Sequence, residues 1–396
     1  MNTANTWDQI TDLIDNTIED QRKSAQGAQR FGQARKEWNN AIQNEQVDIP
    51  VETLLTDEYY LGRFNIWPSI IDELSAIWHY RCDFEVDFYR GDDKIASKSI
   101  YALSFEHAER RAREKWPRIA SDCDSVHVWR KHNIHTVVIE CPKGTGKDFE
   151  MSLAIWLLVR EYLIQDRKEF FAPYNLDLDT TVSINCMNRS QDQAKRVTFK
   201  ELLPKFRTPF FEDYFPPQVD LDEAQDKRQY PSELRFPRNV VIFPGSGTAA
   251  TGLGYCIGAS CIDEANFMER TASSKRTIMG AESYDAAQEA YDDLYQRQES
   301  RFGAVRNGVM TLAGLTIVIS SSRTKNDFTQ TMKKRAENDP GIYYTSKAFW
   351  ERKPLDLSGH TFQFDCDNMR IHNAVESRDR YDALIGQLGK GERLSA

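Results

Sequence analysis

The residues with the clearest chemical promise are Pro142-Lys143-Gly144-Thr145-Gly146-Lys147-Asp148, between a short apolar run and a long apolar one. A Gly-rich turn from a buried strand into a helix aims several amide N–H groups and the positive helix end at one point, as a polyphosphate requires. Gly144 and Gly146 let the backbone turn without Cβ clashes, and Lys147 is placed to reach the β and γ phosphates. Two positions depart from the phosphate-loop consensus: Cys141 stands for the first Gly, and Asp148 for the Ser/Thr after the Lys. A connection can also be Gly-rich merely to turn tightly, so the loop alone leaves both readings open. Further on, an apolar run from Cys256 to Ile262 leads directly into Asp263-Glu264. A strand ending this way supplies one carboxylate to a Mg²⁺ shell and a second that orients and polarises an attacking water. An acidic surface turn is the plainer alternative. A third apolar run, Thr316 to Ile319, ends in Ser320-Ser321-Ser322-Arg323, putting hydroxyls and a cation where a γ phosphate would sit. Ser-rich strand exits are also common turns. Together the three predict a site for ATP and Mg²⁺.

The elements that must position these residues follow from hydropathy. Residues 136–141, 180–186, 240–243, 257–262 and 315–320 are apolar runs of strand length. Helical patterns over 148–164 and 191–206 alternate with them, the first apolar on nearly every face. The fold class expected is α/β, a P-loop NTPase with a mainly parallel sheet covered by helices on both faces. Residues 1–80 read as an N-terminal helical region, with two surface helices over 7–45 and a further helical stretch from about Glu52 in which Pro68 suits a first turn. Residues 81–132 read as a small β-β-α-β insertion, 133–350 as the P-loop core, and 351–396 as a C-terminal extension or linker.

Composition bounds the function. The 396 residues carry a net charge of -9, so no uniform basic surface is available for nucleic acid or anionic lipid, and polyanion contacts must use local patches. The most apolar run, 151–159, is far short of a membrane span. The chain begins without a basic segment followed by an apolar one, so no secretory signal is expected. Seven cysteines are scattered without a CxxC pair, and Cys141, Cys186, Cys256 and Cys261 fall in apolar runs, which suggests buried free thiols in a reducing compartment. His132 and His135 lack companions at zinc-site spacing.

The order PKGTGKD, NCMNRSQDQAKRVTFKELL, FPGSGTAATGLG, CIDEANF and TIVISSSR resembles the ATPase domain of phage large terminases, over roughly Tyr59 to Trp350. The resemblance implies that Lys147, with Lys143, Gly144, Thr145, Gly146 and Asp148, holds the nucleotide. It implies that Asp263 binds Mg²⁺, that Glu264 activates water, and that Ser320, Ser321 and Ser322 couple hydrolysis to movement. The family often has Arg where Lys143 stands, which leaves Arg189, Arg276 and Arg323 as candidates for a stimulating arginine. Asp148, at the place of the usual hydroxyl, is expected in the Mg²⁺ shell, or else simply as a favourable anion at a helix start. Leu61 to Pro68 resembles the segment through which the family holds adenine; an aromatic such as Trp67 can equally be core.

Implied partners are double-stranded DNA, a portal protein and a small terminase subunit, with a homo-oligomeric ring on the portal in the cytoplasm of an infected bacterium, and no membrane. Lys325, Lys333, Lys334 and Arg335 read either as a solvated face or as a DNA phosphate contact. The stretch after Trp350 is expected to be too short for a nuclease domain. A helicase-like DNA translocase, or a nucleotide-dependent assembly switch that does not hydrolyse, would share much of this pattern.

Overall fold

The computed structural model describes residues 47–63, 65–218, 233–246, 255–268, 270–271, 284–306, 308–353, 363–365 and 370–372. The helices expected over 7–45, residues 247–254 of the FPGSGTAATGLG segment, and Arg276 lie outside them.

Helices α1 (Val51–Thr56) and α2 (Pro68–Cys82) come first. The helical stretch expected from about Glu52 is interrupted between them. There the Asp57 carboxylate accepts from the Tyr59 amide at 2.8 Å, and Gly62 turns the chain with φ of 62°. Pro68 opens α2, where its missing N–H is not needed. Strands β1 (Asp83–Arg90), β2 (Asp93–Tyr101) and β3 (Ser125–Arg130) form an antiparallel sheet in the order β2-β1-β3, with α3 (Phe105–Lys115) between β2 and β3 in the chain. Ser104 caps α3 by accepting from the His107 amide at 3.1 Å. Phe84, Val86 and Phe88, at alternate positions of β1, pack with Ile100, Phe105, Ala108 and Val128 in a core of their own.

Strand β4 (Thr136–Glu140) leads through the Gly-rich loop into α4 (Lys147–Ile164). Next come β5 (Val182–Asn188), β6 (Leu234–Phe236), β7 (Val240–Ser246), β8 (Ile257–Asp263) and α5 (Ala286–Phe302). A hairpin of β9 (Gly303–Arg306) and β10 (Val309–Leu312) precedes β11 (Leu315–Ser320), α6 (Phe328–Ala336), β12 (Ile342–Ser346) and α7 (Phe349–Arg352). The main sheet has seven strands in the order β12-β4-β11-β8-β5-β7-β6. All neighbours are parallel except β6, which pairs antiparallel with β7 at one edge.

Alternate residues of the central strands serve two cores. Val137, Ile139, Ile317 and Ile319 pack on the side of α2 and α4, while Val138 and Val318 join Ala287, Leu294 and Met332 on the side of α5 and α6. With helices on both faces, the strands are apolar throughout, and α4 is buried almost all round because it lies between the sheet and further helices. The fold class read from the sequence is the one observed. The edge strands β6 and β12 were not anticipated. The expected regular helix over 191–206 is a broken one: a π-helical segment (Ala194–Phe199) follows the first turn, and a 3-10 turn (Leu203–Phe206) ends it, where Pro204 offers no N–H to continue. Among the described residues no helix is long and apolar enough to cross a membrane. Cys141, Cys186 and Cys261 are buried free thiols, and Cys256 is half-buried.

Candidate functional site

The loop between β4 and α4 is built by its glycines. Gly144 and Gly146 have φ of 76° and 73°, a left-handed conformation that costs other residues about 1–2 kcal/mol. Thr145 is buried, and its hydroxyl donates to the Pro142 carbonyl at 2.6 Å, which closes the turn. Gly146 stands just before α4, and its carbonyl accepts the Glu150 amide at 2.9 Å. The free amides of the first helical turn therefore face the loop. A Cβ at Gly146 would lie 3.7 Å from the Trp67 ring and 3.8 Å from Ile70, so the start of α2 backs the loop directly. Of the segment likened to an adenine holder, Leu61 and Ile66 are in the core, Trp67 is half-buried against the loop, and Phe64 lies outside the described residues.

The sheet order brings the acidic pair to the loop. β11 lies between β4 and β8, with Ser320 opposite Glu140 and Ile319 opposite Asp263. The amides of Cys141 and Glu264 donate to the carbonyls of Ser320 and Ile319, at 3.1 and 3.0 Å. Lys147, 8% exposed, pairs with Glu264 through Nζ and Oε1, and stands 3.8 Å from Oδ1 of Asp148. Asp263, 1% exposed, accepts from Asn188 Nδ2 at 2.8 Å through Oδ2. Its Oδ1, and Oδ1 of Asp148, are buried without a hydrogen-bond partner.

Electrostatics follow from this crowding. Burial, then the charge of Asp148, push Asp263 up to about 7 against the pull of Lys147, and Glu264 adds to the rise. Burial likewise raises Asp148, opposed by Lys147 and assisted by Glu264 and Glu201. Burial works against the Lys147 charge, but the bond to Glu264 and the charge of Asp263 outweigh it, so Lys147 is held above its ordinary value. A buried carboxylate oxygen such as Asp263 Oδ1, with no hydrogen-bond partner, is costly unless a cation or donor meets it, and Asp148 Oδ1 has only the Lys147 ammonium at 3.8 Å. Hard oxygen donors of this kind fit Mg²⁺, which takes one or two carboxylates and completes its shell from phosphate and water. Among the described residues no cluster of three or more His, Cys, Asp or Glu side chains could hold a metal by itself.

The Ser-rich exit of β11 is bonded to its neighbours at Ser320, at the Ser321 carbonyl and at Ser322, while Ser321 Oγ is buried without a hydrogen-bond partner. Ser320 Oγ accepts from the Asn266 amide at 3.0 Å, and the Ser321 carbonyl accepts from Asn266 Nδ2 at 3.0 Å. Ser322 donates to Glu140. Beside them the Phe267 ring carries Lys143 Nζ at 4.9 Å and the Arg323 guanidinium at 5.7 Å. Arg189 and Arg323 are exposed at the ends of β5 and β11. Glu140, Asn188, Asn266 and Thr329 belong to this site by contact, yet no pattern in the sequence singled them out. Their one local signal is a polar residue at or just after the end of an apolar strand, or in a helix's first turn, which by itself is commonplace.

The remaining candidates fall elsewhere. His135 packs its ring on Tyr295 and meets Thr136, and His132 packs on Tyr80. Lys333 lies over the Tyr344 ring, and Arg335 pairs with Asp292 at 3.7 Å.

A parallel sheet whose phosphate-loop strand is separated from its Asp-Glu strand by one further strand, with the loop Lys reaching the Glu, defines a P-loop NTPase. Such a fold binds a nucleoside triphosphate. Residues 112–383 match the family model described as "Uncharacterized protein MJ0330, N-terminal P-loop domain", and the chain belongs to that family. A comparison with curated proteins gives no match. Solved structures similar to the chain include the large terminase ATPase domain of a Thermus phage, 14% identical, with 56% of this chain and 79% of that one covered and a TM-score of 0.33. They also include the large terminase of bacteriophage HK97 (14% identity, 54% of this chain and 35% of that one, TM-score 0.34). A third is the large terminase of a thermophilic bacteriophage in complex with ADP (9% identity, 64% and 47%, TM-score 0.33). The chain thus spans about a third to a half of the length of the last two.

Proposed function

We propose that this chain is the ATP-hydrolysing motor domain of a machine of the large-terminase kind, which drives double-stranded DNA into a procapsid inside an infected host cell. The observation that carries hydrolysis is the convergence of Lys147, Asp148, Asp263 and Glu264 at one end of the sheet, with a buried oxygen on each Asp that no hydrogen bond satisfies. The DNA half rests on the order of the five sequence motifs.

In this reading the amides of Gly144 to Lys147 bind the phosphates, and Lys147 turns from Glu264 to the β and γ phosphates. Its departure leaves the Glu264 carboxylate free to orient the attacking water and take its proton. Asp263, steadied by Asn188, and Asp148 would hold Mg²⁺, which when bound neutralises charge on the phosphate oxygens. Ser320 to Ser322, between the loop and Glu264, sense the change and pass it to α6. In this reading Trp67, beside Gly146, is the candidate contact for the base or ribose. Portal protein, small subunit and neighbouring copies in a ring are the partners this function requires. The deciding experiment is ATP turnover with and without duplex DNA. The expected result is slow Mg²⁺-dependent hydrolysis that DNA accelerates. Tight ATP binding without any turnover would instead favour the assembly switch.

A further inference from the structure

Glu264 occupies an unusual backbone position. Its φ of 56° is left-handed, and it is not glycine. Such a conformation is strained for a residue with a Cβ and persists only where the surroundings over-determine it. The fixed point lies two residues on. Asn266 is 3% exposed within the 3-10 turn Ala265–Phe267, and its backbone amide and both side-chain polar atoms are engaged. Its amide donates to Ser320 Oγ at 3.0 Å. Its Nδ2 donates to the Ser321 carbonyl at 3.0 Å and to Thr329 Oγ1 at 2.9 Å, and its Oδ1 accepts the Thr329 amide at 3.1 Å.

Thr329, fully buried in the first turn of α6, passes the bond on by donating through Oγ1 to Glu140 at 2.5 Å. Glu140 also accepts from Ser322 and from Gln330 Nε2, the latter at 2.8 Å. The turn that aims Glu264 is therefore bolted to the ends of β11 and β4 and to α6 by one buried network. A satisfied buried network of this kind holds a single geometry, because each lost bond leaves a partner unpaired.

We infer that Asn266 is the positioning residue for Glu264, holding its carboxylate in line with the phosphate loop, with Thr329 and Glu140 as its brace. This rests on the reading of Glu264 as the residue that activates water. Asn266 touches no reacting group, so its effect must pass wholly through Glu264.

The test is a double-mutant cycle on the full chain, read by single-turnover ATP hydrolysis and by binding of a fluorescent ADP analogue. Asn266→Ala is expected to slow hydrolysis ~10- to 100-fold while ADP affinity stays within about twofold. In a Glu264→Gln background the same change is expected to have no further effect. Thr329→Val, which removes the brace but leaves Asn266 in place, is expected to slow hydrolysis several-fold with the same loss of effect in the Glu264→Gln background; it decides the matter should Asn266→Ala fail to fold. Unchanged hydrolysis in Asn266→Ala and Thr329→Val, or losses that simply multiply with that of Glu264→Gln, would overturn the inference. If Glu264→Gln alone hydrolyses normally, the role of Glu264 itself has failed, an outcome told apart by the single variant.

Discussion

Lys147 pairs with Glu264 and stands 3.8 Å from Asp148, and in the proposed function it exchanges Glu264 for a triphosphate, an exchange on which much of the site's behaviour turns. Glu264→Gln should keep nucleotide binding and lower turnover by about two orders of magnitude or more, because the phosphate cradle survives while water activation is lost. Lys147→Ala should weaken binding itself, and a titration of ADP analogue against both variants separates the two effects. Asp148 has a buried oxygen that no hydrogen bond satisfies, 3.8 Å from the Lys147 ammonium, and no hydroxyl to offer. Asp148→Ala and Asp148→Thr should both alter the Mg²⁺ concentration needed for half-maximal turnover; a curve identical to wild type would return Asp148 to the role of a simple helix-start anion. Asp263 gives a pH signature. Its ordinary value is 3.8 and its folded value about 7. Between them the folded chain holds a proton that the unfolded chain has lost, so this group makes the nucleotide-free protein less stable as pH rises through that window. Asp263→Asn should flatten that fall and raise the melting temperature near neutral pH by several degrees. Parallel melting curves for the two proteins from pH 5 to 7.5 would show that Asp263 is not the cause.

Among the elements, β11 does most to assemble the site, since it stands between the strand that delivers the loop and the strand that delivers Asp263 and Glu264. The loop's own geometry is set by Gly146. At φ of 73° an alanine carries a backbone penalty of about 1–2 kcal/mol, whereas its Cβ would meet Trp67 and Ile70 only at ordinary contact distance. Gly146→Ala should therefore lower the melting temperature by a few degrees and weaken nucleotide binding without disturbing α2. Thermal unfolding and ADP titration of that variant, with Trp fluorescence reporting on Trp67, check all three statements. Behind the loop, Arg352 of α7 pairs with both Glu73 of α2 and Glu150 of α4, all three buried. The first turn of the phosphate-loop helix is thereby joined to the elements on either side of the core in sequence.

At the scale of the whole molecule, a net charge of -9 means that the DNA contact proposed above would need local basic patches, which several subunits facing one channel would combine. The loop from Pro142 to Asp148 contains no arginine, and its Lys143 rests on the Phe267 ring. A neighbour's arginine can be worth ~10³ to 10⁵ in phosphoryl transfer. Hydrolysis per chain should accordingly rise with protein concentration and with duplex DNA, and the DNA effect should fall steeply with salt. Fast, concentration-independent hydrolysis by a chain shown to be monomeric in the ultracentrifuge would contradict a shared site.

What the sequence determined by itself was local. Gly144 and Gly146 before an apolar helix, and an apolar strand running into Asp263-Glu264, announce their local geometry because left-handed turns and strand ends are decided by a few adjacent residues. The apolar run from 136 to 141 marks its strand for the same reason. The tertiary structure alone decided which strand lies between which, since strands buried on both faces read alike and carry no mark of their neighbours. From that order follow the bond from Asn188 to Asp263 across 75 residues and the clasp of Asn266 on Thr329 across 63. A lone Asn at a strand end has no period to betray it; only the fold, by burying both partners where water cannot satisfy them, makes that pairing obligatory.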